Sequence, residues 1–295
     1  MFTDPRRLIK EVRAMIILDD HFHVDPFHGL FLEAVKQFHR AGGTHLMVVY
    51  KSAHDYGFPG LKVEDFMKAM DFHIGLVERI NKETPVKAYA VVGVHPAEFA
   101  YLAEKRGLKY AKDEVRKALE YAQRLCLEGK AVAIGEIGRP HYEVSPDIWE
   151  ASIELMKYGM ALAKEADCAV QLHTESFDEA RFRELGEYVR EVGIKPYKVV
   201  KHFSPPLVKV AEEVGVFPSV IASRKNIREA ISQGNRFMME TDYIDDKSRP
   251  GAVLGPKTVP RRTKAFLQNG LFTEEDVYKI HVGNPRKVYG IDPEE

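Results

Sequence analysis

Two histidines one residue apart, His21 and His23, close the first apolar run of the chain, Met15–Leu18. Side chains of an extended strand alternate between faces, so these two imidazoles point the same way. Imidazoles at the end of a buried strand need partners for their ring nitrogens. A hydrogen-bonded pair beside a loop is one solution, and a divalent metal is the other. The later apolar runs decide for the metal. Glu136 follows Ala131–Ile134, His173 follows Ala169–Leu172, His202 follows Val199–Val200, and Asp242 follows Phe237–Met239. Ligand-type residues at so many equivalent places read as a metal centre. The donors are nitrogen and oxygen without thiolate, which suits two divalent ions such as zinc, manganese or magnesium. Six ligands are too many for one tetrahedral zinc that keeps an open position. They divide into His21, His23 and Asp242 for one ion, His173 and His202 for the other, and Glu136 as bridge. Two ions ~3.5–4 Å apart clamp the attacking and leaving oxygens of a hydrolysis. Asp242 is expected to serve also as the general base.

The elements that must place these residues alternate along the chain. Between the runs already named lie Leu46–Tyr50, Ala88–Val94 and Phe217–Ala222. Eight short, continuous apolar runs suit strands buried on both faces, as in a parallel sheet. Amphipathic segments separate them, among them Val115–Leu127, Ile148–Ala166 and Ala180–Val192, and Glu274–Tyr289 ends the series. Strand then helix, eight times, predicts an α/β fold: a (β/α)₈ TIM-type barrel over 1–295 as one domain. An open doubly wound sheet would carry a Gly-rich nucleotide turn after an early strand, and none is found. The charged stretch 1–13 reads as an N-terminal extension. The stretch 245–262, rich in Pro, Gly and cations, is expected to be a loop over the barrel mouth.

Composition sets the class. Apolar residues make up 45% and charged residues 29%, as in a soluble enzyme, and the net charge of −1 gives no global field toward nucleic acid or membrane. Two cysteines, Cys126 and Cys168, read as thiols in a reducing compartment. With no apolar leader at the start and no run of membrane-spanning length, a cytoplasmic protein is expected.

The chain resembles the TatD-like metal-dependent hydrolases, a branch of the amidohydrolase-type barrels. The resemblance rests on Asp19-Asp20-His21-Phe22-His23, Gly93-Val94-His95-Pro96, Gly135-Glu136-Ile137-Gly138, His173, His202-Phe203-Ser204 and Glu240-Thr241-Asp242. It implies a TIM-type barrel, one or two divalent metals and hydrolysis, often of DNA phosphodiesters. It carries over the same six ligands and places His95 near the substrate. The chain departs from the family at substrate-facing positions. Arg139-Pro140 follows where the family usually has Leu-Asp, and Glu175 stands where an arginine is common. His95, Arg139 and Glu175 are thus the expected substrate contacts.

Other residues receive plainer readings. His54 and His141 are taken as exposed loop residues, and His28, His39, His73 and His281 as non-catalytic. Glu240 shares a face with Asp242 and is read as orienting a ligand or joining a polar layer. Trp149 and Met156–Met160 are read as core, and Asn284-Pro285 as a turn or cap. Arg139, Arg224, Lys225, Lys247, Arg249, Lys257, Arg261 and Arg262 all follow barrel strands; a phosphate-bearing substrate could use some of them, and each taken singly is read as part of a solvated rim. The function expected is a metal-dependent hydrolase of phosphoesters, DNase-like, on a small-molecule or nucleic-acid substrate. The alternatives are an amide, lactone or deaminase-type hydrolase on the same barrel, and a non-catalytic metal-binding barrel.

Overall fold

A computed structural model describes residues 15–250 and 252–295; the expected extension 1–13 lies outside them. Eight parallel strands pair in chain order. They are β1 (Leu18–Phe22), β2 (His45–Val49), β3 (Lys87–Val92), β4 (Ala133–Gly138), β5 (Ala169–His173), β6 (Val199–Ser204), β7 (Phe217–Ile221) and β8 (Met238–Glu240). The ring closes just beyond β8. Asp242 N–H donates to the His21 carbonyl (3.0 Å) and His23 N–H to the Tyr243 carbonyl (2.9 Å). The buried Asp19 carboxylate locks the seam, accepting from Thr241 N–H (2.9 Å) and Thr241 Oγ1–H (2.7 Å).

The strands are wrapped by α1 (Leu32–Ala41), α2 (Val63–Glu83), α3 (Pro96–Arg106), α4 (Leu108–Leu127), α5 (Pro146–Glu165), α6 (Glu179–Val192), α7 (Val208–Val214), α8 (Arg224–Ile231), α9 (Thr258–Gln268), α10 (Glu274–Tyr278) and α11 (Asn284–Tyr289). Apolar side chains line the lower barrel interior, among them Leu18, Met47, Val91, Ala133, Ala169 and Phe217; Val288, Tyr289 and Ile291 close that end from below. No helix among the described residues is long and apolar enough to cross a membrane.

Three expectations need correction. The stretch 245–262 is not loop throughout, because α9 begins at Thr258. Val259, Thr263 and Phe266 form its buried face at helical spacing, and Pro260 sits in the first turn, where its missing N–H costs nothing. Asn284-Pro285 is not a turn. A π-helical turn, Lys279–Gly283, joins α10 to α11 without a break. The buried Asn284 amide donates to the carbonyls of Asn235 (2.8 Å) and Phe237 (2.9 Å), fastening this segment under β8. Trp149 is half-buried instead of core, with the Arg139 guanidinium 5.0 Å from its ring centroid.

Candidate metal centre

All six ligand-type residues meet at the C-terminal end of the barrel, on β1, β4, β5, β6 and just past β8. The two oxygens of the buried Glu136 carboxylate face different histidine pairs. Oε2 lies 3.5 Å from His21 Nε2 and 3.7 Å from His23 Nε2. Oε1 lies 2.9 Å from His173 Nδ1 and 3.2 Å from His202 Nε2. Asp242 Oδ1 stands 3.8 Å from His21 Nε2 and 3.6 Å from His23 Nε2. His21, His23 and Asp242 form one group able to hold an ion; His21, Glu136 and His202 form a second, and His95, Glu136 and His173 a third. A further group, Asp25, His28 and Asp55, is already neutralised by Lys51, whose Nζ is 2.7 Å from Asp25 and 3.5 Å from Asp55.

Local backbone explains the approach. A Cβ on Gly135 would lie 2.9 Å from Gln171 Cβ, and one on Gly138 would lie 1.9 Å from the His173 carbonyl oxygen. Only glycines on both sides of Glu136 let β4 run close enough to β5 for its carboxylate to reach His173. Asp242 has φ +47°, a left-handed conformation that Asp accepts more readily than most residues.

The ring nitrogens facing away from the centre fix the tautomers. His21 Nδ1 lies 2.9 Å from Gln171 Oε1, and His23 Nδ1 lies 3.0 Å from the Val49 carbonyl. The Gln171 amide cannot be reversed, because its Nε2 donates to the Asp20 carbonyl (2.9 Å) and to Tyr289 Oη (2.7 Å). Both Nδ1 atoms therefore carry hydrogens, so in the neutral imidazoles both Nε2 lone pairs are bare, and only a proton or a metal cation can fill the space between them. Yet these Nε2 atoms lie 3.2 Å apart, with two carboxylates beside them. Lone pairs and anionic oxygens pointed at one another repel unless a cation lies between them, so the donor set fits a divalent metal. The same conflict governs protonation. Burial would depress the His21 pKa, but Glu136, with Glu240 and Asp242, outweighs it and pushes it up to about 10. Burial works against the charged Glu136 too, but His21 and His202 hold it well below the ordinary range.

Several supporting residues had no distinct sequence signal. The buried Glu240, read in the sequence as orienting a ligand or joining a polar layer, backs His202: its Oε1 faces His202 Nδ1 (3.1 Å) and accepts from Phe203 N–H (2.8 Å). Gln171 supports His21 from one strand away and is apparent only once the barrel interior is known. His141, read as a plain loop residue, is exposed, but its Nδ1 lies 2.7 Å from His173 Nε2. His95 stands beside His173, with ring centroids 4.2 Å apart. Its Nδ1 caps α3 by accepting from Ala97 N–H (3.0 Å), which leaves the proton on Nε2. Arg139 and Glu175, expected at the substrate, bind each other. The Arg139 side chain is 1% exposed and engages Glu175 (3.1 and 2.6 Å) and Glu184 (3.0 Å), so its donors are used within the fold. The plain readings of the other histidines fit their surroundings. His73 is buried between the Val48 carbonyl and Tyr56, His281 is buried against Leu18 and Thr263, His39 faces the Gly43 carbonyl, His28 packs on Asp25, and His54 is exposed.

Residues 18–290 match the family described as TatD related DNase. The chain belongs to that family. This TatD-family chain is 46% identical over 285 residues to the uncharacterized protein MJ1127 of Methanocaldococcus jannaschii, covering 96% of this chain and 99% of that protein. Its fold is shared with YJJV, a TatD homolog from Escherichia coli k12, at a TM-score of 0.66 and 18% identity over 94% of this chain and 98% of that one. A hydrolase TatD family protein from Entamoeba histolytica matches at a TM-score of 0.62 and 16% identity, over 94% and 99%. As a TatD-family member the chain is an enzyme, a metal-dependent hydrolase on a TIM-type barrel.

Proposed function

We propose that the chain hydrolyses phosphoester bonds, in a nucleic acid or a nucleotide, with two divalent ions. The observation that carries this reading is the division of the Glu136 carboxylate. One oxygen faces His21 and His23, and the other faces His173 and His202. In this reading His21, His23 and Asp242 hold one ion, His173 and His202 the other, and Glu136 spans both. Ions bound there would acidify a water and polarise the oxygens of the scissile bond. Asp242 takes the proton of the attacking water and returns it to the leaving oxygen. Gln171 and Glu240 keep His21 and His202 in the tautomers that present Nε2. His95 Nε2–H is a neutral donor beside His173, placed to hydrogen-bond a substrate oxygen. Six neutral or anionic side chains with two divalent ions leave a net positive site, which favours an anionic ester over a neutral amide or lactone.

Elemental analysis of protein purified without chelator, followed by a panel of phosphodiesters, phosphomonoesters, lactones and amides, tests this. Two ions per chain and phosphoester turnover that is lost on chelation and restored by metal are expected. Saturation at one ion would refute the bridged pair. Faster turnover of lactones or amides would refute the substrate class.

A further inference from the structure

Several cations placed after the barrel strands are consumed by the fold. Lys51 is held by Asp25, Arg139 by Glu175 and Glu184, and Arg249 by Asp246. Lys225, Lys247, Lys257 and Arg261 are exposed or partly exposed cations, and among the described residues they form no ion pair; one group is set apart by its clustering. Arg224 opens α8 just after β7, Arg228 follows one turn later, and Arg262 lies on the second turn of α9, after β8. Arg224 and Arg228, four apart on α8, share one helix face, and Arg228 and Arg262 meet at one ring. The Arg228 and Arg262 guanidinium carbons lie 5.4 and 5.5 Å from the centroid of a single ring, the buried Phe266. Burial, then the neighbouring Arg224 and Arg228 charges, lower the pKa of Arg262. Among the described residues no carboxylate forms an ion pair with any of them, and Glu229, beside Arg228 in sequence, pairs with none. Gathering three like charges without a partner costs free energy, which an anion would recover.

Their distance from the chemistry is short in hydrogen bonds. Arg262 Nε donates to the Ala222 carbonyl (3.1 Å), and Ala222 N–H donates to the Glu240 carbonyl (2.8 Å). Glu240 is the residue that orients His202. Arg262 is thus fixed one strand residue away from the support of a metal ligand, with its terminal nitrogens free of carboxylates. Guanidinium groups match phosphate oxygens in pairs, and the loops after strands seven and eight are a common place for phosphate in such barrels.

We propose that Arg224, Arg228 and Arg262 form an anion subsite on the rim after β7 and β8, which takes a phosphate group of the substrate other than the one being cleaved. The identity of the occupant rests on the phosphoester reading above; the subsite itself does not. The variant R224Q/R228Q removes two exposed charges that have no carboxylate partner, and its melting curve checks that it folds. Binding of thymidine 3′,5′-bisphosphate and of the two thymidine monophosphates to metal-loaded protein is measured by calorimetry. The wild type should bind the bisphosphate about tenfold or more tightly than either monophosphate, the scale of one added charge-assisted contact. R224Q/R228Q should lose that gain, with monophosphate affinities within about twofold of wild type. Arg183→Gln with Lys209→Gln, the same charge change on the outer helices, should retain it. A gain absent from the wild type, surviving in R224Q/R228Q, or lost equally in the distant control would overturn the proposal. A sulfate titration separates it from the reaction. Saturable shifts of the Arg262 Nε–H resonance are expected, and their absence would overturn the subsite. Shifts in a protein without phosphoester turnover would support the subsite and sink only the phosphoester reading.

Discussion

Replacing Gln171 by Leu tests how the barrel interior holds a metal ligand. Gln171 is fully buried, and its amide meets His21 Nδ1 (2.9 Å), the Asp20 carbonyl (2.9 Å) and Tyr289 Oη (2.7 Å). Leucine fills similar space and offers no polar atom. Two buried groups, the His21 Nδ1–H and the Asp20 carbonyl, then lose their side-chain partner, whereas Tyr289 keeps Asp20 Oδ1 at 2.9 Å. At ~1–3 kcal/mol per orphaned group, the metal-free protein loses ~2–6 kcal/mol. At roughly 2–4 °C per kcal/mol for a large domain, it should melt ~4–24 °C lower. Separately, His21 is released from its tautomer. Loss of such a partner weakens metal binding ~10–100-fold, or ~1.4–2.8 kcal/mol. Competition with a calibrated chelator reads the second effect, and melting of the chelated protein reads the first. The ion on His21, His23 and Asp242 should weaken far more than the ion on His173 and His202. A folded Gln171→Leu protein with both affinities within twofold of wild type would refute this account of the polar interior.

Asp242→Asn keeps the left-handed backbone but removes the proposed base, so kcat should fall ~10²–10⁴-fold with less change in KM; normal turnover by the metal-loaded variant would place the base elsewhere. Arg139→Leu should lower stability by ~1–3 kcal/mol, below the ~3–5 kcal/mol of a fully buried pair, because Glu175 and Glu184 keep Arg181 and some water. KM for a phosphoester should hardly change, and a large rise would restore Arg139 as a substrate contact. Burial pushes the pKa values of His73 and His281 from 6.5 down to about 4. The unfolded chain therefore binds their protons first. Their contribution is full above pH 6.5 and is lost as the pH falls toward about 4. Chemical denaturation across that window should show a shallower acid limb in His73→Gln; identical limbs would show that His73 does not titrate there.

The clustering of the six ligand-type residues was legible because each ends an apolar run, and a barrel gathers strand ends at one face. The same criterion misplaced strand boundaries. β1 runs from Leu18 through Asp19, Asp20 and His21, all fully buried, although its apolar run stops at Leu18. The interior changes there from apolar to polar, so hydropathy fails where the chemistry begins. Helix α9 was missed because Lys257, Arg261, Arg262 and Lys264 dilute its apolar face, Val259, Thr263 and Phe266. Arg139 was misread for a different reason. Its partner Glu175 lies in the loop after the next strand, β5, and no local pattern announces a pair 36 residues apart.

Tyr289 has a consequence for how the protein is made. Its hydroxyl donates to Asp20 and accepts from Gln171, so the support of His21 includes the residue that closes α11. Synthesis runs from the N-terminus, so β1 is among the first elements made and α11 is the last. A growing chain thus carries His21 and His23 through nearly the whole of translation without the tyrosine that steadies their strand. β1 also waits as an open edge until Asp242 and Tyr243 arrive to pair with it. Until α11 docks, Gln171 holds His21 without the Tyr289 contact behind it, and until Asp242 and Tyr243 pair with β1 the ring stays open.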